Sequence, residues 1–395
     1  MSVLRRVLLA LLLLILLLIG ALAFVLYAPL SGRPRFLKPS QLISASPLDA
    51  AVAVLGAEPT VRATDTPALA ALALRYQPTL VVSGLDRNWP TSVIRLLGER
   101  WHGQGPCVYI GGRCKIGDPS ASALDGRGAW GDFLRYPAPV NSVQDTFRSA
   151  AAALGVPVAD VGAWPRTIAA VDPFESAQVY FYYLAKAPPT AYPGVPHGLI
   201  SLQYWFYYPL NYFPLTRIPL KALAARIGST FGNTDYHQGD LEHVAVLLDP
   251  KTMQPVYLWM ARHSNEGVAY RWHSPSIQWQ GDHATIYAAF GSHASYADCG
   301  IQRRSRTYRF INDYVVCIPH QTYAFTYNAT PLVDLSKTAW GCWRGHLGQA
   351  GPLRAGRVGF APYETAGPVS PLNQQENFRI ACHVPTGKSK PPTPL

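Results

Sequence analysis

The sequence is short of charge, of acid and of paired thiol ligands. Only 14% of its 395 residues are Asp, Glu, Lys or Arg, while 49% are hydrophobic. That balance argues against a disordered chain and supplies enough apolar material for a large core in one or two domains. Acids number 23 against 34 Lys and Arg, and the surplus of +11 is spread along the chain. Such a surplus suits an anionic membrane surface or an acidic glycan. No long basic helix, zinc-finger spacing or RNA-binding signature accompanies it, so nucleic acid is not an expected partner. No C-x-x-C pair occurs, which argues against a cysteine zinc site. Neither a G-x-S-x-G elbow nor a P-loop is present, so nucleophilic-serine and phosphate-loop chemistry lack support. Repeats of solenoid or propeller length are absent too.

What the chain does have begins at its amino terminus. After a short flank, residues 1–6, comes "VLLALLLLILLLIGALAFVLY", an uncharged run at 7–27. Such a run is long enough to cross the hydrocarbon core as one helix. An uncleaved transmembrane anchor is the expectation; the alternative is a signal peptide, because "ALA" at 21–23 offers a small-residue cleavage site. Arg5 and Arg6 precede the run and Arg33, Arg35 and Lys38 follow it, so charge bias gives a weak vote on orientation. The expected topology is single-pass, with the large carboxy-terminal part outside the cytoplasm. Residues 28–45 read as a linker, 46–383 as one domain, and the proline-rich 384–395 as a disordered tail.

Six cysteines, an even number, fit an oxidising compartment, and Cys107 with Cys114 across "VYIGGR" is the best local disulfide pair. Helical signals fall in the first half: Thr66 and Pro67 open "TPALAALALRY", Asn141 or Ser142 caps "NSVQDTFRSAAAALG", and "PLKALAARIG" reads as a third helix. Strands dominate from about residue 176. In "LISLQYWFYYP", Ile200, Leu202, Tyr204, Phe206 and Tyr208 alternate with Ser201, Gln203, Trp205 and Tyr207, the period of a strand with two unlike faces. "AQVYFYYLA", "LEHVAVLLD", "PVYLWMARH", "GVAYRWH" and "ATIYAAFGSHASY" follow the same logic. Short turns between them imply a mainly β fold: an antiparallel β-sandwich with added helices in its amino-terminal part, preceded by the transmembrane helix.

One stretch, "NTDYHQGDLEHVAVLLD" at 233–249, carries the chemistry. On a strand from Asp240, the side chains of Asp240, Glu242, Val244, Val246 and Leu248 share a face. Two carboxylates therefore head a face that continues as hydrocarbon. Buried there, each must be protonated, paired with a cation or bound to a metal. Residues two apart lie roughly 6 to 7 Å from each other, so both can reach one ion, and Gly239 can bend the chain to bring His237 to the same point. Oxygen and imidazole ligands favour Mg²⁺, Ca²⁺ or Mn²⁺ over Zn²⁺. The bland alternative pairs the carboxylates with arginines and makes His243, on the other face, a core histidine. Asp282 and His283 are sequence neighbours on a strand, so they are not expected to form a dyad, and Ser292 cannot pair with His293 for the same reason.

"LQYWFYYPLN", "HQGDLEHVAVLLD" and "HATIYAAFGSHASY", in that order, resemble the core of the vacuolar protein sorting-associated protein sixty-two family and, more distantly, the necrosis-inducing, Nep1-like cytolysins of plant pathogens. "LRYQPTLVVSGLDRNWPTSV" resembles that first family's opening segment, and "WGCWRGHLG" with "GPVSPL" its closing one, so the likeness spans about 70–375. The cytolysin resemblance implies a divalent cation held by His237, Asp240, Glu242 and, where the family has an acid, Asn211, with Asp235 as a substitute acid. Leu241 stands where the cytolysins place a tryptophan, which weakens any expectation of membrane lysis. His293, in "GSHAS", is expected near the site as a further ligand or a general base. Two functions follow as expectations: a membrane-anchored protein that binds a glycan or lipid head group through its cation, or a metal-dependent hydrolase of an ester or glycan.

Overall fold

The computed structural model describes residues 67–84, 86, 88–98, 105–110, 113–117, 119, 124, 132–135, 141–142, 166–167, 178–184, 187, 191–214, 233–262, 266–303, 312–317, 322–328, 330–348 and 367–373. No helix among these residues is long and apolar enough to cross a membrane. The expected span at 7–27, its linker, the third helix and the tail lie outside them, as does most of the second helix.

Helix α1 runs Pro67–Arg75, starting at the proline whose fixed φ suits a first turn and ending on a basic residue. It leads into strand β1 (Thr79–Ser83), and a one-turn helix α2 (Val93–Gly98) follows. Small strands β2 (Cys107–Ile110), β3 (Arg113–Gly117) and β4 (Phe133–Arg135) form one sheet, and β5 (Asn141–Ser142) with β6 (Arg166–Thr167) another. The main run is β7 (Val179–Leu184), β8 (Ile200–Pro214), β9 (Asn233–Leu248), β10 (Pro255–Arg262) and β11 (Glu266–Arg271). After it come β12 (Trp279–Gln280), β13 (His283–Ala288), β14 (Ser295–Tyr296), β15 (Gly300–Arg303), β16 (Asn312–Val315), β17 (Thr322–Phe325) and β18 (Leu332–Asp334).

Two sheets face each other. The six-stranded one has the order β11-β10-β9-β8-β7-β18, and the five-stranded one runs β12-β13-β1-β17 with β14 on β13. Ile200, Leu202, Tyr204, Phe206 and Tyr208 of β8 share a buried cluster with Val244, Val246 and Leu248 of β9 and with Leu80, Val82, Ala284, Ile286 and Phe325 of the other sheet. The alternation read in the sequence is thus the face that fills the gap between sheets.

Two features depart from a plain antiparallel sandwich. First, β1 pairs with β13 in parallel, and β18 with β7 likewise. A strand from the amino-terminal part slots beside one more than two hundred residues later, so no hairpin links them and direction is free. Second, the outer face of the six-stranded sheet is also buried: Trp205, Tyr207, Leu210 and Leu241 pack with Trp340, Trp343 and Leu347, while Ala245, Leu247 and Trp259 pack with Tyr192 and Val195. Aromatics on both faces of "QYWFYY" require this, since a solvated face would leave Trp205 and Tyr207 in water. The Cys107–Cys114 disulfide is present, a second joins Cys299 to Cys317, and no cysteine among the described residues is free.

Candidate functional site

The long hairpin β8–β9 sets the site. Its register places Phe206 opposite Glu242, Tyr208 opposite Asp240, and Asn211 opposite His237. Directly opposed residues in an antiparallel pair share a face, so Asp240 and Glu242 head the same inward face as Tyr208 and Phe206. Both carboxylates are buried. Across from them, the parallel pair β1/β13 ends. Because the two strands run the same way, their following loops emerge at one edge, the geometry that gathers functional groups in parallel sheets. One loop brings Asp86, the other His293.

His293 is the centre of what assembles there. Its Nδ1–H donates to Asp240 Oδ2 at 2.8 Å, and its Nε2 lies 3.4 Å from Asp86 Oδ2. Burial by itself would lower the imidazole's pKa, but the charges and hydrogen bonds of Asp86 and Asp240 outweigh it and lift the group to about 9. The ring is flat against Tyr208, with centroids 4.0 Å apart and planes 8° from parallel. The two carboxylates are themselves held. Asp86 accepts the Asn88 N–H at 2.9 Å and the Gly291 N–H at 2.8 Å, and Asp240 accepts the Leu241 N–H at 2.9 Å. His293 sits in the left-handed region at φ 55°, a conformation that persists only where its surroundings impose it. Without a bound cation the protonated form of this imidazole is therefore the favoured one.

Tyr208 adds an unmet polar group. Its phenol is fully buried and has no hydrogen-bond partner among the described residues. Burial, then the charges of Glu242, Asp240 and Asp86, push its pKa well above the phenol range. A buried hydroxyl left without a partner costs roughly 1 to 3 kcal/mol, so a polar guest is the expected remedy.

His237 and Asn211 form a separate pair. Asn211 Nδ2 donates to His237 Nε2 at 3.1 Å, and His237 Nδ1–H donates to the Gly239 carbonyl at 2.6 Å. Turned about its last torsion, the amide presents Oδ1 beside Nε2, giving one oxygen and one nitrogen donor. Gly239 takes φ 67°, as expected of a bend. Behind it the closing segment presses close: a Cβ on Gly239 would meet Leu347 O at 2.5 Å, and one on Gly348 would meet Gln238 O at 1.6 Å. Among the described residues no three His, Cys, Asp or Glu side chains close on one point at metal-ligand spacing. Asp240 is engaged by His293 and His237 by Asn211, and no contact joins Asp240 to His237. Asp235 lies opposite Phe213 in the register, its side chain outside the described residues.

Three further histidines make structural contacts. His243 stacks on Trp205 with centroids 4.2 Å apart, and burial pushes its pKa down to about 3. Asp282 turns to Arg75 at 2.8 Å and His273 at 3.3 Å, while His283 Nδ1–H donates to the Gln77 carbonyl. Ser292 donates to Asp313, not to His293. Leu241 faces away from the carboxylates into the outer cluster. Two participants went unforeseen from the sequence. Asp86 stands in "SGLDRNW", whose only signal is an acid just past an apolar strand, and Tyr208 is one of the alternating residues of its strand, with no signal of its own beside its neighbours.

No family model matches the chain, and no curated protein matches it. The expected likeness to the vacuolar sorting family thus finds no support in these comparisons. Solved structures to which the chain is similar are Nep1-like cytolysin toxins. One, described as a toxin fold serving microbial attack and plant defense, is 16% identical, with 80% of this chain and 91% of that one covered and a TM-score of 0.34. Another, NLPPya in complex with mannosamine, is 14% identical, covering 82% and 94%, with a TM-score of 0.33. Necrosis and Ethylene inducing Protein 2, from the causal agent of cocoa's Witches Broom disease, is 14% identical, covering 70% and 77%, with a TM-score of 0.26.

Proposed function

We propose that the chain is a membrane-anchored, extracytoplasmic binding protein that takes a divalent cation midway along the β8–β9 hairpin and, through it, a glycan or lipid head group. The observation that carries this reading is the buried Tyr208 hydroxyl, which has no hydrogen-bond partner among the described residues and on which the charges of Glu242, Asp240 and Asp86 all bear. A cation held by such carboxylates would take the phenol oxygen as a further neighbour and satisfy it. The donor types suit a hard cation: Asp240 and Glu242, on one face beside the Tyr208 hydroxyl, would supply charge, and Asn211 and His237, held as a separate pair, would have to turn towards them to add a neutral oxygen and nitrogen. When bound, such an ion supplies a positive centre for the oxygen atoms of a polar ligand. The chain's own part is to hold Asp240 by the Leu241 N–H and to fix His237 through Gly239. Hydrolysis is the weaker reading, because His293 Nδ1–H is already bonded to Asp240, one of the residues that would hold the ion.

The test is metal content by mass spectrometry on the full chain in detergent, followed by calorimetric titration with Mn²⁺, Ca²⁺ and Mg²⁺. Glucosamine and mannosamine, the sugars bound in two similar structures, are then titrated into the loaded protein. The reading expects one equivalent of cation, lost in Asp240→Asn with Glu242→Gln, and sugar binding only when the cation is present. A parent protein that takes up none of the three ions overturns it.

A further inference from the structure

His293 reaches both Asp86 and Asp240 only because its turn is held in an uncommon shape, with Gly291 at φ 77° and His293 at φ 55°. Backbone bonds close the turn, from His293 N–H to Ala289 O at 2.9 Å and from Ala289 N–H to Ala294 O at 3.0 Å. Those bonds do not fix where the turn lies relative to the hairpin that bears Asp240. The Tyr208 stack and the Gly291 N–H bond to Asp86 hold its inner side, and its outer side needs a hold of its own.

Asp313 is placed for it. Its carboxylate accepts the Ser292 hydroxyl at 2.8 Å through one oxygen and the Tyr296 hydroxyl through the other. Ser292 precedes His293 and Tyr296 follows it, so one buried carboxylate grips the chain on both sides of the imidazole. Asp313 is 1% exposed, and both contacts are charge-assisted and water-excluded. It sits on β16, paired with β15 through Gln302 opposite Asp313. The Phe290 N–H donates to Tyr314 O at 2.7 Å, which ties the same hairpin to the start of the turn. The Cys299–Cys317 disulfide closes that hairpin at its base.

We propose that Asp313 is the positioning residue of the cation site, and that the disulfide-closed β15–β16 hairpin is the clamp through which it sets His293 against Asp86 and Asp240. This deepens the binding reading above and rests on it for its functional consequence, but its structural part stands alone. It also ties the site to an oxidising compartment: with Cys299 and Cys317 unlinked, the hairpin that aims Asp313 loses its closure.

The experiment uses the full chain in detergent, labelled with ¹⁵N in histidine, and compares the parent with Asp313→Asn, Ser292→Ala and the double change Cys299→Ser, Cys317→Ser. The first readout, without any cation, is the low-field Nδ1–H resonance of His293 in its bond to Asp240. The second is Mn²⁺ affinity. Asp313→Asn and the cysteine pair should lose or shift that resonance and, by releasing Asp240 from the imidazolium that competes with a cation for it, tighten Mn²⁺ about tenfold, the size of one charge-assisted hydrogen bond, with Ser292→Ala intermediate. An unchanged resonance in a folded Asp313→Asn overturns the proposal, and if that variant fails to fold, an unchanged resonance in Ser292→Ala does so. A shifted resonance with no Mn²⁺ binding even in the parent retains Asp313 as the clamp and removes the cation reading instead.

Discussion

Substituting alanine for Gly239 tests the backbone on which the site is built. Two costs add there. At φ 67° the residue occupies the left-handed region, where a side chain costs about 1 to 2 kcal/mol. The new Cβ also falls 2.5 Å from Leu347 O and 3.0 Å from Tyr207 Oη. Leu347 O is backbone and accepts the Tyr207 hydroxyl at 3.1 Å, so relieving the clash moves a main-chain segment and strains that bond, for about 1 kcal/mol more. The expected loss is about 2 to 3 kcal/mol. Gly281 is the control: it has φ 62° and nothing within 4 Å of its would-be Cβ, so Gly281→Ala pays the conformational cost alone. Urea unfolding of the full chain in detergent, followed by tryptophan fluorescence, reads the difference as a lower midpoint for Gly239→Ala at unchanged slope. Equal midpoints in the two variants would refute the argument, because they would mean that the 345–348 segment does not press on the bend.

In cation-free protein, His293 makes stability depend on pH. Its folded pKa is raised to about 9 from 6.5, so its contribution is complete below about pH 6.5 and fades as pH rises through about 9, by at most on the order of 3 kcal/mol. Thermal midpoints from pH 6 to 10 should fall in the parent and fall less in His293→Gln; parallel curves would remove the imidazolium from the balance. Tyr208→Phe deletes a buried hydroxyl that has no partner among the described residues, so the cation-free protein should be unchanged or more stable by about 1 kcal/mol, while Mn²⁺ affinity falls. A clear loss of stability in the cation-free state would show that the phenol is already satisfied.

The six-stranded sheet was legible because its strands are consecutive and patterned. Ile200 to Tyr208 alternate in the sequence and fill one face in the fold, and Val179–Leu184, Pro255–Arg262 and Glu266–Arg271 follow as expected. Pro67 and the Cys107–Cys114 pair were local signals and held for local reasons. The pairing of β1 with β13 was not legible. Thr79 meets Thr285 across a long stretch of chain, and "TLVVS" offers a continuous apolar run without a preferred direction or neighbour. The burial of the outer face was written in Trp205 and Tyr207, but what covers them, Trp340, Trp343 and Leu347, lies in segments with little periodicity.

The same division explains the site. The carboxylates share a face, and Gly239 bends, because both follow from strand geometry within one segment. Their partners do not follow from it. Asp240, Glu242, His237 and Asn211 were expected to share one ion; the register sets His237 opposite Asn211, to which it is bonded, while Asp240 is bonded to His293. That exchange depends on the one non-local fact the sequence could not convey, the parallel run of β1 beside β13. Had these two strands been antiparallel, Asp86 and His293 would leave the sheet at opposite ends, roughly 17 to 20 Å apart over five or six residues of strand. The imidazolium would then lack its second carboxylate. Strand direction, rather than any motif, is therefore what turns the two acids of "GDLE" into a site with its own internal counter-ion.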